Sequence, residues 1–220
     1  SLIIPAKFES ESLPVFLNEI KDYNCKKIVI LEESDIDTIN SIKDFKDIKI
    51  YFQNFKGYGA AIVEGVRIVD TKYFCIINAD GSMNPIYLEK MIQKIKNNDI
   101  DLLFASRYEK PEGGSDDDNF VTLVGNYFFT LFGKIFFRLN ITDILFTYVM
   151  GKTSAFNSLN LSSKDFTLCV EMPIKAKREK LKLSTIPSYE RRRIGGTKKV
   201  NAFFDGLLIM IKMIKMFFLK

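Results

Sequence analysis

The chain of 220 residues has no histidine. That absence excludes Ser-His-Asp and Cys-His nucleophile pairs and every histidine-ligated metal. Chemistry here must rest on carboxylates, Lys/Arg, hydroxyls, backbone amides, or an oxygen-ligated ion such as Mg²⁺ or Mn²⁺. Cysteine is scarce too: Cys25, Cys75 and Cys169 lie far apart with no CxxC pair. This predicts buried, reduced thiols in a cytosolic compartment and excludes a disulfide frame or zinc site. No secretory signal is visible at the first residues, and no charge-free apolar run reaches the roughly 18 residues of a membrane span. Internal repeats and low-complexity tracts are missing as well.

What is present is an ordered composition, 47% hydrophobic and 27% charged, long enough for one domain with a full core. The net charge of +5 hides an asymmetry: residues 175 to 199 hold ten Lys/Arg against Glu179 and Glu190. With residues 200 to 220 also basic, the first 174 residues carry a net −5. A basic end of this kind predicts an anionic partner: phosphate, lipid headgroup or nucleic acid. A solvated basic face is the plain alternative. No recognition helix or stacking motif accompanies the basic run, which argues against nucleic acid.

Leu2–Ile4, Ile28–Leu31, Phe74–Ile77 and Leu102–Ala105 are continuous apolar runs of the kind that form strands covered on both faces. Ile48–Phe52 is more mixed and predicts a strand nearer an edge. Helical patterns alternate with them: one opening at Pro14, one with Ile62, Val66 and Val69 after a glycine-rich turn, and one after Asn84 and Pro85 with Leu88, Met91, Ile92 and Ile95 in a stripe. This alternation predicts a doubly wound α/β fold with a mostly parallel central sheet. Ligands of such sheets bind beyond the carboxyl ends of the strands. Residues 111 to 119 ("PEGGSDDDN") predict a polar, mobile loop. Residues 120 to 139 are strongly aromatic, and 200 to 220 form an apolar helical pattern with Lys212, Lys215 and Lys220 interleaved. Both can lie in a membrane interface with lysines at headgroup level; packing on the core or on a second copy of the chain is the alternative. The expected organisation is one catalytic unit over 1–199 and an interfacial amphipathic helix over 200–220.

Candidate site residues fall at predicted strand ends. Pro5, Ala6 and Glu9 follow the first strand, and Glu32, Glu33, Asp35 and Asp37 follow the second. Gly57 and Gly59 precede a helix, where backbone amides can approach an anion. Asn78, Asp80 and Ser82 end the central strand with one carboxylate where a metal site would more comfortably have two. Ser106 and Arg107 close another strand, and an arginine there can fork onto phosphate. "YERRRIGGTKK", residues 189 to 199, is a basic loop suited to a diphosphate.

Taken in order, Pro-Ala-x-x-Glu, paired acids, Gly-x-Gly-Ala-Ala, a D-x-D-like turn, Ser-Arg-Tyr and Arg-x-Gly-Gly-x-x-Lys resemble family 2 glycosyltransferases of the GT-A fold. The nearest likeness is to dolichol- and polyprenyl-phosphate sugar transferases, from Leu2 to about Leu208. The resemblance implies that Pro5, Ala6, Glu9 and Glu33 line the base and ribose of a nucleotide-sugar donor, with Gly57 and Gly59 nearby. It implies that Asp80, with Asn78 and Ser82, binds a divalent ion, Mg²⁺ or Mn²⁺, on the donor diphosphate. Arg107 then holds a phosphate, Asp143 lies near sugar or acceptor, and Arg193, Lys198 and Lys199 close over the phosphates. The sequence departs from the pattern at Phe8 (usually Asn), Glu32-Glu33 (usually Asp-Asp), Tyr58 (often Lys), Phe146-Thr147 (often Ser/Thr-Gly) and Asn78 (the first Asp of D-x-D).

The expected activity is inverting transfer of a sugar to a polyprenyl phosphate or a cell-surface glycan precursor, at the inner face of a membrane. A phosphate acceptor needs no strong base, which suits a chain without histidine; for a hydroxyl acceptor Asp143 is the candidate base. The alternative is a catalytically weak or silent GT-A domain that binds nucleotide sugar or membrane as a partner protein. A nucleotidyltransferase needs a G-x-G-x-R loop after the first strand, which "PAKFESES" does not supply.

Overall fold

The computed structural model describes residues 1–196 and 199–219. Nine strands and eight helices occur among them. In chain order they are β1 (Leu2–Pro5), α1 (Ser12–Glu19), β2 (Lys27–Leu31), α2 (Ile36–Ile42), β3 (Ile48–Phe52) and α3 (Tyr58–Arg67). Then follow β4 (Tyr73–Ile76), α4 (Tyr87–Asn98), β5 (Leu102–Ser106), β6 (Gly114–Ser115), α5 (Phe120–Phe137), β7 (Val149–Lys152) and α6 (Thr153–Ser158). The chain closes with α7 (Leu168–Arg178), β8 (Leu183–Pro187), β9 (Tyr189–Glu190) and α8 (Ala202–Phe218).

Seven strands form one sheet in the order β3-β2-β1-β4-β7-β5-β8. All pairings are parallel except those of β7, which runs antiparallel to β4 and β5. The predicted α/β fold with a mostly parallel sheet is therefore present, and β3 is an edge. The continuous apolar runs have the expected cause. Ile3, Ile28, Ile30, Phe74 and Leu102 face a core under α3, α6 and α7, while Leu2, Ile4, Val29, Leu31 and Cys75 face another under α1 and α4. Side chains alternate sides along each strand, so both sets must be apolar.

Two helix starts differ from expectation. α1 begins at Ser12, two residues before Pro14, whose missing N–H is tolerated in a first turn. Asn84 and Pro85 form a turn before α4: Asn84 Oδ1 accepts from the Ile86 N–H at 3.1 Å, and the helix starts at Tyr87. Residues 111–119 also differ from the predicted mobile loop. Gly114–Ser115 pairs in parallel with Tyr189–Glu190, and Tyr189 Oη donates to Asp116 Oδ1 at 2.6 Å.

The second half leaves much apolar surface uncovered. α5 is long and apolar enough to cross a membrane by length and composition, and α8 packs beside it through Ile209, Met213 and Met216. Phe217 of α8 meets Phe136 and Phe137 of α5 edge-on. Yet Phe120, Tyr127 and Ile135 on α5, and Phe203, Leu207 and Phe218 on α8, are exposed.

Candidate active site at the carboxyl ends of the strands

β1, β4 and β5 end on the same side of the sheet, so the residues that follow them converge. The segment after β9 is laid along the turn that follows β4. Met83 bridges to Glu190, the Arg191 N–H donates to the Ser82 carbonyl at 2.9 Å, and the Ile194 N–H donates to the Asp80 carbonyl at 2.8 Å. Gly81, at φ 74°, allows this approach: a Cβ there would lie 2.4 Å from Ile194 Cδ1. The basic run thus covers the Asn78–Ser82 turn.

Beneath it, Asp80 Oδ1 accepts from the Ser82 N–H at 3.0 Å. Its Oδ2 lies 3.9 Å from Arg193 Nη1, close enough for attraction but beyond a hydrogen bond. Arg193 itself is forked onto Asp117, with Nη2 2.7 Å from Oδ2 and Nε 3.3 Å from Oδ1. That bond to Asp117, opposed by partial burial and aided by Asp80, raises the Arg193 pKa. Lys199 donates to Glu9 Oε1 at 2.8 Å, and Arg191 forks onto Glu19. Each cation of this run named from the sequence and described here faces a carboxylate; Lys198 lies outside the described residues.

Several residues named from the sequence are engaged by other parts of the protein. Arg107 is held by acids. Its Nε and Nη2 fork onto Asp143, its Nη1 reaches Glu190 Oε2 at 3.1 Å, and the Phe146 ring lies 4.6 Å from its guanidinium carbon. Burial works against the charge, but Asp143 and Glu190 hold the guanidinium pKa well above its ordinary value. Asp143 is 1% exposed and accepts from the Arg107 N–H, Nε and Nη2 and from Asn126 Nδ2. Both its oxygens are engaged in this way. Glu190, and Asp118 at 4.0 Å from Arg107 Nη1, are the other carboxyls of that network. Burial raises the Glu190 pKa, against the pull of Arg107 and the Ser115 hydroxyl.

The glycines of the 57–59 turn also serve another purpose. Gly57 adopts φ 115°, and a Cβ there would lie 2.2 Å from the Lys164 carbonyl oxygen. One on Gly59 would lie 2.5 Å from the Asp165 carbonyl oxygen. They make room for the 163–165 backbone, which accepts the Ala60 N–H, rather than for an anion. That backbone is held from the other side by Glu171. Ser162, Ser163 and Lys175 donate to it, and Lys212 of α8 lies 3.5 Å away. Burial opposes the charge, but these partners hold the Glu171 pKa down at about 2.

Asn78 turns its Oδ1 to Tyr58, whose Oη donates at 2.8 Å and also lies 2.5 Å from Thr147 Oγ1. Burial pushes the Tyr58 hydroxyl pKa up, so it stays a neutral donor. The carboxamide oxygen that the sequence offers to a metal is thus already engaged. Three of the departures noted in the sequence, at Tyr58, Asn78 and Thr147, form one hydrogen-bonded group. Ser82 is buried and shapes the turn through its backbone. Glu9 is held by Lys199 and Ser12, Pro5 and Ala6 are buried at the end of β1, and Glu33 is exposed beyond β2. The aspartates at 116–118 gave the sequence signal for Asp117 in the "DDD" run. Asn126 and Glu190, far apart in the chain, gave none.

Among the described residues no three His, Cys, Asp or Glu side chains cluster about one point. Asp80 supplies a single hard anionic ligand with one oxygen not held by backbone. That set fits Mg²⁺ or Mn²⁺ of the kind whose shell is completed by substrate phosphates, since such ions are bound through one or two carboxylates. It does not fit an ion held by protein alone.

A mostly parallel sheet of this order, with one antiparallel strand, has the architecture of the GT-A class, and solved structures agree. Glucosyl-3-phosphoglycerate synthase from Mycobacterium tuberculosis superposes with a TM-score of 0.70 at 11% identity, covering 100% of this chain and 80% of that one. Mannosyl-3-phosphoglycerate synthase from Rubrobacter xylanophilus gives 0.67 at 11%, covering 97% and 71%. A sequence profile of glycosyl transferase family 2 matches residues 1–159, and the chain belongs to that family. Similar curated proteins include glycosyltransferase AglJ of Haloferax volcanii, 19% identical over 96% of this chain and 70% of its own length. Another is the UDP-N-acetylglucosamine–dolichyl-phosphate N-acetylglucosaminyltransferase of Methanococcus voltae, 24% identical over 84% of this chain and 83% of the relative. An uncharacterized glycosyltransferase of Methanocaldococcus jannaschii is 32% identical, but the match spans 63% of this chain and only 49% of that relative.

Proposed function

We propose that the protein transfers a sugar, with inversion, from a nucleotide-sugar donor to a lipid phosphate at a membrane surface. The observation that carries the reading is the adjacency of two features. The basic 190–196 segment lies over Asp80, and the exposed apolar helix α5 starts from the same network, its Asn126 bonded to Asp143. The Methanococcus voltae relative, by its name, uses a dolichyl-phosphate acceptor, and solved complexes of the Mycobacterium tuberculosis enzyme hold Mn²⁺ and UDP-glucose. Both support the proposal.

Charge building on the departing diphosphate is the main barrier to such a transfer. Asp80 would hold Mg²⁺ or Mn²⁺, which when bound supplies positive charge to that leaving group. Arg193 and Lys199 are the protein's own contribution. A diphosphate carries more charge than the single carboxylates of Asp117 and Glu9, and can draw both cations from them. Asp143 is saturated, so a hydroxyl acceptor finds no free base in it; a phosphate acceptor, already anionic, asks for none. α5 and α8 would rest in the headgroup layer, with Lys134, Arg138 and Lys215 toward anionic lipid.

One observation favours a second reading. With Asn78 committed to Tyr58, the turn offers a metal one carboxylate, as a donor-binding domain of low activity would. Thermal unfolding with a panel of nucleotide sugars, each with and without Mn²⁺, tests the donor claim. Saturating donor should raise Tm by about 5–10 °C, and only with metal. If no nucleotide or metal moves the transition, the transferase reading is wrong.

A further inference from the structure

The polarity of α8 is inverted at one residue. Phe203, Leu207 and Phe218 lie on its outside, yet Lys212 is turned inward, with its side chain 25% exposed; Lys215 stays exposed. Lys212 Nζ lies 3.5 Å from Oε2 of Glu171, a carboxylate of α7 that is itself 1% exposed. Such a buried ion pair gains little stability over an apolar pair of similar size. What it fixes is geometry: which turn of α8 faces α7. A second ionic contact agrees with that register, because Arg178 of α7 donates to the Met216 and Leu219 carbonyls at the end of α8.

From Glu171 an unbroken run of contacts leads to the Asp80 turn. Glu171 accepts the Ser162 N–H at 3.2 Å and the Ser163 N–H at 2.7 Å. The next carbonyl, of Lys164, accepts the Ala60 N–H at 3.1 Å, and the 163–165 backbone fills the space above Gly57 and Gly59. Beyond it the Phe166 ring stacks on Tyr58 with centres 4.9 Å apart. Tyr58 Oη donates to Asn78 Oδ1 at 2.8 Å, two residues before Asp80. At the other end, Phe217 of α8 meets Phe136 and Phe137 of α5. The two helices therefore present one joint apolar face only while α8 is seated.

We propose that Lys212 and Glu171 are positioning residues that couple seating of α8 on a membrane to donor binding at the Asp80 turn. The inference rests on the donor and membrane readings above. The two states are α8 seated, with Lys212 against Glu171, and α8 lifted from α7. Lipid that covers the joint face of α5 and α8 favours the seated state, and that state holds the 162–166 backbone under Tyr58. The coupling is reciprocal: lipid raises donor affinity, and donor raises lipid affinity by the same factor.

Calorimetric titration with UDP and GDP, each with Mn²⁺, tests this with and without saturating phosphatidylglycerol vesicles. Vesicle binding is measured separately by sedimentation. In the wild type, vesicles should raise the affinity for whichever nucleotide binds by about 5- to 20-fold. Lys212→Met should bind vesicles like the wild type and melt within about 3 °C of it, but its gain should shrink to about twofold or less. Lys212→Arg should keep the gain. Lys215→Met should bind vesicles about fivefold more weakly and, once saturated, show the full gain. A full gain in Lys212→Met, with or without a fall in Tm, gives the pair a purely structural role and overturns the proposal. No vesicle effect in a wild type that binds both nucleotide and vesicles overturns the coupling alone. A wild type that binds neither nucleoside diphosphate overturns the donor reading, and one that ignores vesicles overturns the membrane reading; the coupling falls with either.

Discussion

Around Asp80 and Arg107, cations and acids face one another, while on α5 and α8 many large apolar side chains lie exposed. Arg193, Arg191, Lys199 and Arg107 are each bonded to a carboxylate brought from a distant segment. Phe120, Tyr127, Phe203 and Phe218 stand exposed on the two helices. The difference teaches how each region meets its partner. A phosphate site can be kept folded by internal acids that a stronger anion replaces. An apolar face has no such internal substitute, and only a non-aqueous surrounding can cover it.

Substitutions that strike one region and spare the other sharpen this contrast. Asp143→Ala removes the forked partner of the buried Arg107 guanidinium, leaving Glu190 at 3.1 Å and Asp118 at 4.0 Å, and should cost about 3–5 kcal/mol, read as a fall in Tm of about 10 °C. Membrane binding measured on the protein that remains folded should not change. Asp80→Ala should lower kcat/KM about 10²- to 10³-fold with Tm nearly unaltered, because its side chain organises only the turn backbone and the donor. An unchanged kcat/KM would mean the turn is not where the diphosphate is held.

The pH response belongs to the link between the regions. Glu171 joins the 162–163 backbone to Lys212 of α8, and its pKa is held at about 2, below the ordinary carboxylate value of 4.5. Its stabilisation is thus present above that ordinary value and is lost as pH falls toward about 2. It amounts to about 3 kcal/mol. Glu171→Gln should flatten the acid limb of a stability-against-pH curve; a limb of unchanged steepness would show that other carboxylates drive acid unfolding. Smallest is the effect on the bare face. Phe203→Ser with Phe218→Ser should lower partition onto anionic vesicles about tenfold and leave stability within about 0.5 kcal/mol. A large loss of stability instead would place these rings in a protein interface.

Much of the first half was legible because local pattern and tertiary position agree there. Doubly buried strands must be apolar throughout, and the residue types that end them, as in "NADGS", mark a ligand-facing turn. What the sequence concealed was pairing across distance. Arg107 reads as a phosphate ligand until Asp143, 36 residues away, and Glu190, 83 away, are brought against it. Gly57 and Gly59 read as an anion cradle until the 163–165 backbone fills the space above them. Asn78 looked like a weakened metal ligand. Beside Tyr58 and Thr147 it is the acceptor of a neutral hydroxyl chain, and single departures from a family pattern became one local replacement. The "DDD" run looked mobile for the same reason: nothing local to it says that Tyr189 and Arg193 will bind it.

Passage of a sugar from nucleotide to lipid phosphate can be measured directly. Wild-type and Asp80→Ala proteins are incubated with a radiolabelled nucleotide sugar, Mn²⁺ and vesicles containing a polyprenyl phosphate, and label is counted after organic extraction. Label is expected in the organic phase with at least one donor for the wild type, and about a hundredfold less for Asp80→Ala. Label that stays in water-soluble product, or an organic-phase signal unaffected by Asp80→Ala, would contradict the proposed transfer.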